Sequence, residues 1–216
     1  MTDCCTPRGY RRIFSEKSAR SEAKRYRARG LDRASKQIVR LVAERGVDGC
    51  TVLEVGGGIG AIQIELLRAG ASGATSIELT PTYETVANEL LQESGLTNVV
   101  KRRVVDFVAA AADVAPADVV VLNRVVCCYQ DMPTLVGLAA DHTNGLLVMS
   151  FPKSRWWTRL TVALMNLALG VTRREFHVFV RPSADIRRAA EVHGLKTLVD
   201  RPGFFWQTVA LERPAV

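Results

Sequence analysis

Apolar residues along this chain gather in short dense runs separated by stretches of helical spacing. The runs that read as strands are TVLEV (51–55), ATSIEL (74–79), VVKRRVVD (99–106), ADVVVLN (117–123) and GLLVMSF (145–151). Between them, IQIELLRAG (62–70), TYETVANELLQESG (82–95) and DMPTLVGLAADH (131–142) repeat apolar positions every three to four residues, the period of an amphipathic helix. Strands separated by single helices make βαβ units, which pack as a parallel sheet with helices on both faces. VVVL and LLVM are dense enough for strands buried on both sides. After a further helical pattern at 183–193 come GLKTLVD (194–200) and FFWQTVALER (204–213), linked by Arg201-Pro202-Gly203, a turn signal. So short a link makes the last two strands antiparallel neighbours. The predicted fold is α/β, a Rossmann-like, seven-stranded, mostly parallel sheet closed by an antiparallel C-terminal hairpin.

The first 45 residues follow another pattern. Residues 1–14 read as a loose end. Residues 15–29 predict a basic helix stopped at Gly30, and 32–45 a helix capped by Asp32 with Ile38, Leu41 and Val42 on one face. Residues 8–45 hold thirteen Lys or Arg against four acids, a net of +9, while the whole chain sums to +7. That excess suits a solvated helix surface, nucleic acid, an anionic membrane or a carboxylated substrate. The expected organisation is a basic extension over 1–30 and one domain over 31–216. A chain of 216 residues has room for one large domain and little more.

Composition narrows the classes. The apolar fraction of 48% and charged fraction of 24% suit a globular protein. MTDCCTPRGYRRIF lacks the apolar core of a secretion signal, and the longest apolar run, WWTRLTVALMNLALG (156–170), is interrupted by Arg159 and too short to span a bilayer. Five cysteines, four of them in vicinal pairs (Cys4-Cys5, Cys127-Cys128), give neither a disulfide framework nor a zinc spacing. The expectations are a cytoplasmic setting and no metal.

The candidate chemistry lies in Glu54-Val55-Gly56-Gly57-Gly58-Ile59-Gly60-Ala61. A glycine loop between strand and helix exposes amide N–H groups and a helix N-terminus to a ligand at the carboxyl edge of the sheet. Gly56-x-Gly58-x-x-Ala61 fits a dinucleotide fingerprint, with Glu78 about where a ribose-binding acid belongs, so an NAD-dependent oxidoreductase is one reading. Glu54, two residues before the first glycine, argues against a pyrophosphate and for a cofactor with an ammonium group, such as S-adenosylmethionine.

LEVGGGIG resembles motif I of the class I S-adenosylmethionine-dependent methyltransferases, and the resemblance extends over 33–213. It implies that Gly56, Gly58 and Gly60 approach the methionine end of the cofactor with Glu54 beside them. It also implies that Glu78 bridges the ribose hydroxyls, Leu79 packs on the adenine, and Asp106-Phe107 faces the adenine amino group. Asn123, at the end of the fourth strand, falls beside the transferring methyl. The turn Asn123-Arg124-Val125-Val126-Cys127-Cys128-Tyr129 lacks the prolines of the Asn/Asp-Pro-Pro-aromatic sequence of amine methyltransferases. Nor does either cysteine follow a proline, as the nucleophile of cytosine C5 enzymes does. Gln130-Asp131, Ser150-Phe151-Pro152 and the basic N-terminal helix resemble the magnesium-protoporphyrin O-methyltransferases, except that Cys127-Cys128 replaces a histidine of that family.

The resemblance implies O-methylation of an apolar or anionic small molecule. Alternatives are an RNA methyltransferase using residues 8–45 as a phosphate-binding arm, and a non-enzymatic protein that keeps the cofactor fold. Among the three histidines, His177 is the candidate base or orienting residue; His193, at a helix end, reads as structural and His142 as a surface residue. Tyr129 is the second catalytic candidate, as a hydrogen-bonding wall, and Tyr26 would close over the cofactor. Trp156, Leu160, Leu164 and Leu167 recur at i, i+4, i+8 and i+11, an amphipathic helix. It would pack on the core or a second copy, cover the substrate, or dock on a membrane through the flanking Arg155, Arg159, Arg173 and Arg174. The sequence leaves the oligomeric state open.

Overall fold

The computed structural model describes residues 7–172 and 175–214. Seven strands form one sheet: β1 (Thr51–Val55), β2 (Gly73–Glu78), β3 (Val100–Val104), β4 (Ala117–Asn123), β5 (Thr143–Pro152), β6 (Lys196–Pro202) and β7 (Trp206–Glu212). Their order is β3-β2-β1-β4-β5-β7-β6. β1 to β5 are parallel, and β7 lies between β5 and β6, antiparallel to both. The helices are α1 (Pro7–Ile13), α2 (Glu16–Arg29), α3 (Arg33–Ala43), α4 (Ala61–Arg68), α5 (Glu84–Ser94), α6 (Phe107–Ala110), α7 (Met132–Asp141), α8 (Trp156–Val171) and α9 (Ser183–Glu191).

The strand period of two explains the layers. Leu53, Val120, Leu122 and Leu147 point to one face and pack with Leu135 and Val136 of α7 and Ile186 of α9. Val52, Val119, Val121 and Val148, one residue out of phase, point to the other face and pack with Ile38 and Val42 of α3 and Ile62 and Leu66 of α4. A third cluster joins Ala19 and Ala23 of α2 to Ile64 of α4 and Leu90 and Leu91 of α5.

Local signals set the helix ends. Ser15 caps α2, accepting from the Ser18 N–H, and Gly30, at φ 68°, ends it. The Asp32 carboxylate accepts from the N–H groups of Ala34 and Ser35 at the start of α3. The terminal hairpin is displaced from its expected place. Arg201 and Pro202 belong to β6, and the reversal lies over 203–205, with the Gly203 N–H on the Trp206 carbonyl at 2.9 Å. Proline is tolerated there because β6 is an edge strand.

Residues 7–14 are not the loose end the sequence suggests, and residues 1–6, including Cys4 and Cys5, lie outside the described residues. α1 docks through Tyr10, which is buried, and a Cβ on Gly9 would collide with the Glu175 backbone. A helix of seven residues has too few internal hydrogen bonds to persist alone, so tertiary contact decides this element. Two of the six basic residues of α2 are engaged in ion pairs among the described residues. Arg27 pairs with Glu93 of α5 at 2.6 Å, and Arg20 pairs with Glu16 at 2.7 Å and Glu89 at 3.8 Å. Among the described residues, no helix is long and apolar enough to cross a membrane, and no group of three or more His, Cys, Asp or Glu is placed to hold a metal ion.

Candidate active site

The parallel register of β1, β2, β3 and β4 brings four strand ends, and the residues that follow them, to one edge of the sheet. After β1, Gly56, Gly58 and Gly60 take φ values of 69°, 59° and 75°, the left-handed region. A Cβ on Gly56 would stand 2.6 Å from Val125 Cγ2, and one on Gly58 would stand 3.3 Å from the Tyr83 ring. At the end of β2, a Glu78 carboxylate oxygen accepts the Gly58 N–H, tying strand end to loop. After β3, Asp106 caps α6 by accepting the Val108 N–H at 2.9 Å, and it also accepts the Tyr129 hydroxyl at 3.2 Å. At the end of β4, Asn123 accepts from the Ser150 hydroxyl at 2.6 Å.

Gly56, Gly58, Glu78, Asp106, Asn123 and Tyr129 line one cavity of about 260 Å³. Of the residues singled out from sequence, Gly56, Gly58, Glu78, Leu79, Asp106, Phe107, Asn123 and Tyr129 border it. Its remaining walls include Arg124 and Cys128 of the turn after β4, and Tyr10 of α1, Phe14, Glu22 of α2, Thr80 and Tyr83, of which the last five were not singled out from sequence. Tyr10 and Phe14 stack at 6.1 Å, and Phe176 meets both edge-on at 5.3 and 5.6 Å. The Tyr10 hydroxyl donates to the Cys128 carbonyl and the Thr82 hydroxyl to the Phe14 carbonyl, so the aromatic roof is fastened to both sides of the cavity. The i, i+4 pair Tyr10/Phe14 in an otherwise charged stretch is the signal that could have found the roof.

Arg124 is the only non-glycine at positive φ (63°) among the described residues. Such strain persists only where surrounding contacts impose it. Here the guanidinium pairs with Asp32 at 2.8 Å and lies 4.7 Å from the Trp206 ring centre, and the backbone N–H of Arg124 donates to the Ser150 carbonyl at 3.0 Å. Asp32 is pushed up by burial, yet its carboxyl stays below the usual range because Arg124 and the backbone N–H groups outweigh that.

Glu54 does not border the main cavity. It is 1% exposed and lies under the loop, where a Cβ on Gly57 would come within 2.6 Å of its carboxyl group. It faces a smaller cavity shared with Asp32 and Ser35, and Glu22, Gly57 and Asn123 belong to both cavities. Burial first, and the Glu78 charge second, push Glu54 up to about 8, against the Arg102 cation and the Gln63 backbone N–H. Burial pushes Glu78 up to about 7, opposed by the Gly58 N–H and Arg102. Arg102 is a further residue the sequence reading missed. It ties Glu84 at 2.7 Å, Ser76 at 3.2 Å and the Gly58 carbonyl at 3.1 Å under the loop. Glu54 Oε2 and both side-chain amide atoms of Gln63 are buried without a hydrogen-bond partner among the described residues. Gly60 borders neither cavity and caps α4. Tyr26 borders the smaller one and donates to Glu65 at 2.6 Å.

His177 is not brought to these residues. It borders a separate open cavity beside α8, with Nε2 3.1 Å from the Asn166 amide and its ring 4.8 Å from Phe179. The segment after α8 turns that way because the Asn166 side chain bonds both the N–H and the carbonyl of Val178, a pairing that spacing does not reveal. His142 bridges the Leu138 and Ala111 carbonyls, and His193 meets Asp141 at 2.8 Å. Burial first, then the Asp106 charge, push the Tyr129 phenol well above its ordinary value, so at neutral pH it is a hydrogen-bond donor. Cys127 is buried, and its Sγ lies 3.5 Å from that of Cys128.

A family profile described as a methyltransferase domain matches residues 20–199. The chain belongs to the methyltransferase domain family. Enzymes of this family take their methyl group from S-adenosylmethionine. Among curated proteins, none matches this methyltransferase by sequence. Among solved structures, it is similar to magnesium protoporphyrin IX methyltransferase from Synechocystis with bound SAH (TM-score 0.70, 18% identity), covering 84% of this chain and 82% of that one. It is also similar to an O-methyltransferase family protein from Burkholderia thailandensis (TM-score 0.69, 21% identity), over 94% of this chain and 64% of that longer one. A third is an O-methyltransferase family 2 protein from Planctomyces limnophilus in complex with apigenin (TM-score 0.62, 17% identity), over 83% and 62%. At these identities the likeness is one of fold.

The site's residues fit the family's cofactor on their own chemistry. The left-handed glycine loop leaves room that a Cβ would fill. Glu54 Oε2, which borders the smaller cavity and has no hydrogen-bond partner among the described residues, lacks a polar contact that a bound ligand could supply, since buried polar groups are ordinarily satisfied.

Proposed function

We propose that this methyltransferase uses S-adenosylmethionine to methylate an oxygen of an apolar, anionic small molecule. The observation behind the reading is one cavity in which the glycine loop, Glu78 and Asp106 meet an aromatic roof and one cation among the described residues, Arg124. The roles follow from the groups. Glu78 accepts ribose hydroxyls in place of the Gly58 N–H. Asp106 and Phe107, with Leu79, hold the adenine, and Glu54 takes the ammonium group from below the loop. Asn123 and Tyr129 border the acceptor end. When bound, the cofactor supplies an electrophilic methyl on a sulfonium.

No histidine is among the described residues lining this cavity, and Tyr129 holds its proton at neutral pH. An acceptor oxygen that is already ionised, a carboxylate or an acidic phenol, needs no base. Arg124 spends Nη2 on Asp32, and its buried Nε, without a hydrogen-bond partner among the described residues, suits such a group. Catalysis then rests on holding the two reactants in line, which can supply about 7–11 kcal/mol of the barrier. The RNA alternative is weakened by the acidic partners of Arg20 and Arg27.

Calorimetry with S-adenosylhomocysteine and with NAD tests the cofactor, and mass spectrometry of small carboxylic acids and phenols incubated with S-adenosylmethionine tests the acceptor. Binding of S-adenosylhomocysteine and gain of one CH₂ by an acid are expected. Binding of NAD instead overturns the cofactor reading, and methylation confined to amines or RNA overturns the acceptor reading.

A further inference from the structure

α8 presents the reverse of an ordinary surface helix. Its fully buried residues are Thr158 and Val162, and one turn on, the polar Asn166 anchors the helix to the Val178 backbone. The apolar stripe faces outward: Trp156 is 78% exposed, Leu160 53%, Leu164 59%, Leu167 65% and Val171 77%. The expected packing of this stripe on the chain's own core therefore does not occur. Phe204, in the β6–β7 turn, stacks on Trp157 at 4.9 Å and is 86% exposed. A contiguous apolar surface of this kind on a globular protein marks an interaction site.

Charge selects the partner. From His142 to Arg174 the sequence contains no Asp or Glu, but five cations: Lys153, Arg155, Arg159, Arg173 and Arg174. Arg173 and Arg174 lie outside the described residues. None of Lys153, Arg155 and Arg159 forms an ion pair among the described residues, and Arg155 and Arg159 are exposed beside the stripe. A second copy docked through the same face would bring like charges together. An anionic lipid surface offers acyl chains to the stripe and phosphates to its flanks, the mode of a helix lying in the membrane interface.

We propose that α8, with Phe204, docks this methyltransferase on the surface of an anionic bilayer, Trp156, Leu160, Leu164 and Leu167 entering the headgroup boundary. The inference does not depend on the acceptor. The test is sedimentation of the full chain with vesicles of phosphatidylglycerol and phosphatidylcholine, against vesicles of phosphatidylcholine alone, at low and high salt. S-adenosylhomocysteine binding reports that each variant is folded. Wild type is expected to bind the anionic vesicles, at least tenfold more weakly in high salt. Leu160→Asp/Leu164→Asp/Leu167→Asp should lose this binding while keeping its cofactor affinity, and Arg155→Glu/Arg159→Glu should weaken it about tenfold or more, since each basic residue near such a surface contributes about 1 kcal/mol. Absence of vesicle binding, equal binding to neutral vesicles, or unchanged binding by the triple variant overturns the proposal. So does a concentration-dependent dimer in light scattering that the triple variant abolishes.

Discussion

The loops after β1, β2 and β3 and the segments after β4 and β5 sit on the same edge of one sheet, yet they are built differently. In the first group each functional side chain stands within a residue or two of a strand end, so the strand itself aims it. Gly58, Glu78 and Asp106 reach the cavity because parallel strands in register must end together. In the second group side chains are aimed by contacts between distant segments, whether the residue follows its strand directly, as Arg124 follows β4, or stands after a long excursion, as His177 does. Arg124 is held in a left-handed conformation by Asp32 and Trp206, and His177 is carried away from the cavity by Asn166. Residues placed by a strand end can be read from their position. Residues placed by long-range pairing cannot.

The sharpest way to break this contrast is to fill the loop. Gly58→Val adds a branched side chain at φ 59°, with its first carbon 3.3 Å from Tyr83, and should weaken S-adenosylhomocysteine binding by more than about a hundredfold, a loss of roughly 3 kcal/mol. Calorimetry at matched folding, checked by circular dichroism, measures it. A smaller effect is expected for Glu78→Ala. Removing a carboxylate that accepts ligand hydroxyls costs about 1.5–3 kcal/mol, some ten- to hundredfold in affinity by the same calorimetry. Normal affinity in either variant would place the cofactor elsewhere.

The buried carboxylates give a pH test. Glu54 and Glu78 titrate well above an exposed glutamate, so both are held protonated more tightly in the folded chain than in the unfolded one. The stability they provide is complete below about pH 4.5 and falls as pH rises through about 7 to 8. Thermal melts of the free protein should therefore drop from about pH 5 to about pH 8 and level off above. Cofactor binding should run the other way, because an ammonium group favours ionised Glu54. Affinity rises toward pH 8, with proton uptake by the buffer visible as a buffer-dependent enthalpy. Glu54→Gln should remove most of both slopes.

The smallest effects sharpen the second half of the comparison. Tyr129→Phe removes one hydrogen bond to Asp106 and should weaken cofactor binding by about 1 kcal/mol, roughly fivefold. His177→Ala should leave kcat within about twofold, since a general base typically contributes a hundredfold or more. A hundredfold fall in kcat with unchanged KM would return His177 to the chemistry and undo the separation of the two regions.

Sequence alone determined the layered sheet, its antiparallel close, the glycine loop and the acids that follow it. These depend on strand and helix periods and on backbone conformations only glycine adopts readily, all encoded within a few neighbouring residues. Tertiary structure decided that Tyr10 and Phe14 roof the cavity, that Arg102 and Gln63 lie beneath the loop, that His177 faces away, and that the apolar side of α8 points outward. Each of those outcomes depends on which distant segments bury one another. The periodicity that marks a helix face as apolar does not say what, if anything, will cover it.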